Sequence, residues 1–224
     1  MSIIVKEQAS RPKSPPIPAG MHVATCYYVV DVGTHHFNWQ GEEKSTRKVY
    51  LGFEVNGERI TIPAKDGEPE KDLPRAISQD YTISLDKKSN LRKTLDSWRG
   101  VPFTPEELKG FDLKNILGAP CMLNLAHSVC GQYANIIGVV PMMKGMPVPT
   151  PENPSLMFSV DDLVSGADSE WPENMPNWLR EKVKDSDEFK ALNTVQTAPA
   201  VDVSEVTEAE MVGDPAELDE EPPF

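Results

Sequence analysis

Residues 87–100 read KKSNLRKTLDSWRG, and the architecture turns on this stretch. Ser89 or Asn90 is placed to cap a helix. Leu91, Leu95 and Trp98 recur at i, i+4 and i+7, which makes one apolar stripe, and Gly100 stands where a helix would end. Trp98 lies on that stripe and reads as core. Upstream, from residue 21, the chain reads as strands joined by loops. GMHVATCYYVVDVG, residues 20–33, is a β-branched and aromatic run bounded by glycines, and THHFNWQGEEKST reads as a polar loop. RKVYLGFEV then alternates, with Val49, Leu51, Phe53 and Val55 on one side and Lys48, Tyr50 and Glu54 on the other. Asn56-Gly57 is a strong hairpin signal, so ERITI is expected to fold back as a side hairpin. AKDGEPEKDLP reads as a second loop and AISQDYTISL as the third strand.

Downstream of the helix, TPEELKGFDLKNILG reads as a short helical piece, with Thr104 and Glu107 as a capping box. PCMLNLAHSV and YANIIGVVPM are two strands joined by the short turn CGQ. Five strands with a helix between the third and fourth is the order of an OB-fold barrel. An SH3-like barrel would lack that helix. A ferredoxin-like sandwich would need a helix after its first strand, where only a loop is visible. The expectation is therefore a mainly β chain, a five-stranded OB-fold barrel.

The organisation around the barrel follows from composition. The 224 residues include 21 prolines, with 39% hydrophobic and 7% aromatic residues. Residues 1–20 are Pro-rich and read as a flexible arm, 21–145 as the barrel, and 146–190 as a Pro-rich extension. That extension carries a short helix starting near Pro176, with Trp178, Leu179 and Val183 apolar, which either packs back on the barrel or docks on a partner. Residues 191–224 have few large hydrophobes and read as a disordered tail. The net charge of −13 hides a division. Residues 1–148 hold 18 Lys and Arg against 16 Asp and Glu, whereas residues 149–224 hold 4 against 19. From Ala191 onward there are nine acids and no base.

Several classes are disfavoured. No run of 18 apolar residues spans a membrane, and no secretory signal is visible. Cys26, Cys121 and Cys130 lack CxxC spacing and fit reduced thiols in a cytoplasm. The four histidines show no metal-site spacing, so neither a metal nor another cofactor is expected. GxSxG, P-loop and HExxH motifs are missing and the acids cluster in the tail, which argues against an enzyme.

The chain ends in LDEEPPF. A barrel followed by an acidic segment with this tip resembles the single-stranded-DNA-binding proteins of bacteria and their phages. Asp219, Glu220 and Glu221 match that family's acids, Pro223 its proline and Phe224 its terminal aromatic, whereas Pro222 departs from the usual aliphatic residue. Residues 21–160, most specifically SNLRKTLDSWRG, also resemble a widespread group of phage proteins of the same presumed role. The resemblance implies a protein that coats single-stranded DNA in replication, recombination or repair, in the cytoplasm of a bacterial host if the chain is phage-encoded. It also implies recruitment of replication or recombination enzymes through the terminal motif.

Such coating needs cations for phosphates and aromatic faces for bases. OB-folds bind on the face of strands two and three, flanked by the first and fourth loops. Candidates in and beside the first loop are His36, Phe37 and Trp39, then Arg47, Lys48 and Tyr50 on strand two. Lys87, Lys88, Arg92 and Lys93 form a basic cluster at the helix start, and Tyr133 sits beside the fourth loop. A solvated helix face explains the cluster equally well, and Phe37 or Tyr50 could simply anchor a loop or cover the barrel end. Rival readings are an OB-type protein adaptor, an acidic DNA mimic and a strand-annealing protein. Association into homo-oligomers is left open.

Overall fold

The computed structural model describes residues 14–64, 69–166 and 170–197. The expected N-terminal arm, up to residue 13, and the tail from residue 198, with Asp219, Glu220, Glu221, Pro222, Pro223 and Phe224, lie outside the described residues. The chain is mainly β. Strands β1 (Gly20–Trp39), β2 (Glu42–Ile62) and β3 (Lys71–Thr82) precede helix α1 (Asn90–Arg99), and β4 (Pro120–His127) and β5 (Ala134–Val140) follow it. The hydrogen-bonded order is β3-β2-β1-β4-β5, all antiparallel. A sixth strand, β6 (Leu156–Phe158), pairs in parallel with β1. The five-stranded closed barrel is thus corrected: the sheet has six strands, and β3 and β5 approach one another without a shared ladder.

The inner core is what the alternation of β2 dictates. Val49, Leu51, Phe53 and Val55 are fully buried, and the α1 stripe Leu91, Leu95 and Trp98 closes over them. The Trp98 indole N–H donates to the Pro120 carbonyl at 3.0 Å, so its one polar atom is satisfied. Gly100, at φ 71°, ends α1 as a left-handed cap. The capping box is reciprocal: Glu107 N–H donates to Thr104 Oγ1 and Thr104 N–H to Glu107 Oε2. Thr104 is the main cause that holds the Glu107 carboxyl below its ordinary range.

Four readings of the first half change. THHFNWQGEEKST is not a loop but the end of a long hairpin, in which Trp39 pairs with Glu42 across Gln40 and Gly41. Both turn residues have positive φ, which matches the twist of the strands. Asn56-Gly57 does not turn the chain. Here β2 runs on, and Gly57 at φ 80° sits in a bulge where residues 55–58 oppose Arg75 alone. The segment Arg59–Ile62 therefore pairs with Lys71–Pro74, part of the stretch read as the second loop. Residues 14–19, read within the flexible arm, are held: Ile17 is buried, and its carbonyl lies 2.9 Å from His127 Nε2.

The extension builds a second layer on the outer face of β1. Besides β6 it forms α2 (Val160–Ser165), α3 (Asn177–Lys184) and α4 (Asp187–Thr197). Tyr28, Val30 and Val32 of β1 are buried beneath Leu156, Phe158, Val160, Met175, Leu179 and Val183. Bulges after Cys26 and Asp31 shift the alternation of β1, so this one strand feeds both cores. Gly52 makes room for the outer core, because the Tyr28 ring lies where a Cβ would stand, 2.1 Å from it. Of the two options for the Pro176 helix, packing back is the one observed. Residues 146–190 are more than a linker, and α4 continues past the expected tail boundary at 191.

Candidate nucleic-acid interface

The β1–β2 hairpin extends past the core, and its end is polar enough to stand in water. Phe37 and Trp39 lie two residues apart, hence on one face, and are 42% and 55% exposed. Large aromatic surface left open on a thin hairpin, with no core beneath, is available to a partner. His36 alternates with them. Its Nε2 is 2.6 Å from Asp187 at the start of α4 and its Nδ1 3.2 Å from Glu43.

His36, Phe37, Lys48 and Tyr50 meet around one hollow of about 220 Å³. As alternation requires, Lys48 and Tyr50 face away from the inner core. Tyr50 is nevertheless half covered, because Trp178 of α3 packs edge-on against it with ring centroids 5.2 Å apart. Burial, then the charge of Asp80, raises the Tyr50 phenol above its ordinary range, with Lys48 opposing. Lys48 Nζ is 2.8 Å from Asp80 Oδ2 in a surface pair. Such a pair contributes only about 0–1 kcal/mol, so an incoming phosphate can take over the ammonium.

Lys48 also lines a second, larger hollow of about 490 Å³, together with Thr82, Ser84, Lys88 and Asn90. One ammonium thus joins two depressions, and the surface runs from Phe37 to the start of α1, with Trp39 two residues beyond on the hairpin. Asp80 and Asp86 share the second hollow with Lys88.

The other candidates lie elsewhere or are engaged. The Arg47 guanidinium bonds both oxygens of Asp31, and its Nη2 lies 2.6 Å from Asp161 Oδ2. These carboxylates, Asp31 first, raise its pKa further. Arg47 therefore clamps α2 to the sheet, with its fork occupied. Arg92 donates to the Leu85 carbonyl at 3.1 Å and faces Asp96 at 3.6 Å. Lys87 and Arg92 border a separate hollow beside Leu108, Lys93 one between Tyr81 and Ile137, and exposed Tyr133 one beside Arg75. The basic cluster is dispersed around α1 instead of forming one patch.

Sequence reasoning missed Lys182. It reaches the 220 Å³ hollow from α3, more than 130 residues along the chain from Lys48. The spacing of Trp178 and Lys182 was visible, but their place against β2 was not.

Two of the three thiols are shielded by position: burial pushes Cys26 up to about 12 and raises Cys121 as well, whereas Cys130 is exposed. Among the described residues no group of three or more His, Cys, Asp or Glu side chains could hold a metal, and no helix is long and apolar enough to cross a membrane. Comparison with family models, curated proteins and solved structures returned no match.

Proposed function

We propose that the chain binds single-stranded DNA without reading its sequence, on an OB-type scaffold. Supporting the scaffold are the strand order β3-β2-β1-β4-β5 and the position of α1 between β3 and β4. The observation that carries the function is the run of surface from exposed Phe37 and Trp39, through Lys48, to Lys88. Bases stack on the aromatic faces, at about 1–3 kcal/mol each, and the ammonium groups meet phosphates. Stacking and ammonium–phosphate contacts both tolerate any sequence, which suits coating.

The acidic tail belongs to the same reading. Nine carboxylates after Ala191, tethered to a body whose residues 1–190 hold 22 Lys and Arg against 26 Asp and Glu, compete with DNA for the local cations of the hollows. Once DNA displaces them, Phe224 and its neighbouring acids are presented to replication or recombination enzymes.

The test is binding of a fluorescent poly-dT oligonucleotide at several salt concentrations, by the full chain and by a version ending at Thr197, where α4 ends. Salt-dependent binding that strengthens on truncation supports coating and tail competition together. Binding unchanged by truncation removes the competition. No binding by either form at low salt refutes the DNA reading and turns attention to a protein adaptor.

A further inference from the structure

We infer that α3 supplies part of the nucleic-acid site: Lys182 is a phosphodiester contact, and Trp178 positions the Tyr50 ring beside it. This rests on the single-stranded DNA reading and adds to it a wall built from the C-terminal extension.

The rotation of α3 is set by burial. Leu179 and Val183, at i and i+4, are fully buried in the outer core. Trp178 and Lys182, also four apart, form the adjacent stripe one residue back. That stripe runs along β2: Trp178 meets Tyr50 edge-on, and Lys182 lines the same hollow as Lys48, Tyr50 and His36. A helix with two buried anchors holds its lysine backbone rigidly, so little order is lost when a ligand arrives.

The charge pattern points to an anion. Lys182 has no carboxylate partner among the described residues, whereas Lys184 on the same helix is paired with Glu181 at 2.8 Å. Lys48, across the hollow, is paired among the described residues with exposed Asp80. Two ammonium groups converging on one small depression, with aromatic Phe37 and Tyr50 at its border, match one nucleotide unit of a single strand. The extension is then part of the binding surface and not merely its cover.

Poly-dT binding is measured across salt for the full-length wild type and for Lys48→Ala, Lys182→Ala and Lys184→Ala, with matching circular dichroism required of each. Each phosphate contact on a single strand contributes about 0.7 to the slope of log Kobs against log salt. Lys182→Ala should flatten the slope by about 0.7, as Lys48→Ala does, and weaken low-salt binding several-fold, while Lys184→Ala leaves the slope unchanged. Trp178→Ala should weaken binding with the slope intact. If Lys182→Ala changes the slope no more than Lys184→Ala while Lys48→Ala flattens it, the α3 contact is wrong and the DNA reading survives. If the wild type does not bind, both fall.

Discussion

Gly52→Ala is the most direct probe of how the second layer is held. The new methyl would stand 2.1 Å from Tyr28 Cε1, against about 3.4 Å for ordinary contact, so the ring must retreat by about 1.3 Å. It has little room: Tyr28 is 3% exposed, pairs with Leu156 of β6 and packs edge-on against Tyr27 at 4.8 Å. Overpacking of this kind costs about 1–3 kcal/mol. The strain falls on the outer core, because Gly52 and Tyr28 point away from Leu51 and Phe53. Thermal or urea unfolding should show that loss, and hydrogen exchange should show α3 opening while α1 stays protected. In a Tyr28→Ala background the ring is gone and the same methyl should cost far less, giving a coupling of about 1 kcal/mol or more. A Gly52→Ala protein as stable as wild type would refute the reasoning. So would an equal cost with and without the Tyr28 ring.

Other outcomes follow from single contacts. Glu54 is buried and accepts from the backbone N–H groups of Glu152 and Asn153, both at 2.8 Å, and from Asn153 Nδ2 at 2.6 Å. Glu54→Ala strands these donors and should cost about 1–3 kcal/mol in urea titrations. Burial pushes the Glu188 carboxyl up, but bonds from the Thr34 N–H and hydroxyl outweigh it and hold the pKa below its ordinary 4.5. A carboxyl lowered by folding stabilises fully above 4.5 and progressively less as pH falls through its folded value. Acid titration in that window should therefore cost Glu188→Gln less stability than wild type. At pH 8 a thiol reagent should modify one cysteine rapidly, the exposed Cys130, and reach Cys26 and Cys121 only on unfolding.

Local periodicity carried the inner core. The β2 alternation and the α1 stripe are each written within about ten residues, and each faces a single core, so burial follows pattern. The hairpin end was harder, since its strands lie beyond both cores and carry no apolar alternation to mark them. Asn56-Gly57 misled because a positive φ serves a bulge as well as a turn, and only the partner strand distinguishes them. Arg47 looked open because its clamp, Asp161, is 114 residues away. Tyr50 did face outward, yet Trp178 covers it from the far end of the chain. Local pattern speaks for one strand at a time, whereas the outer layer joins segments that no local window contains.

Because β1 serves two cores, synthesis leaves it half finished for a long interval. The hairpin partner of β1, β2, leaves the ribosome early, but Tyr28, Val30 and Val32 are fully covered only once Val183 has emerged, 151 residues after Val32. At about 5–20 residues per second that is about 8–30 s during which an apolar strip stays open to water. Nascent chains halted before Leu156 should bind a hydrophobic dye or a holdase, and those released beyond Thr197 should not. For this molecule the late-made outer layer acts as its own chaperone, closing the surface that β1 exposes.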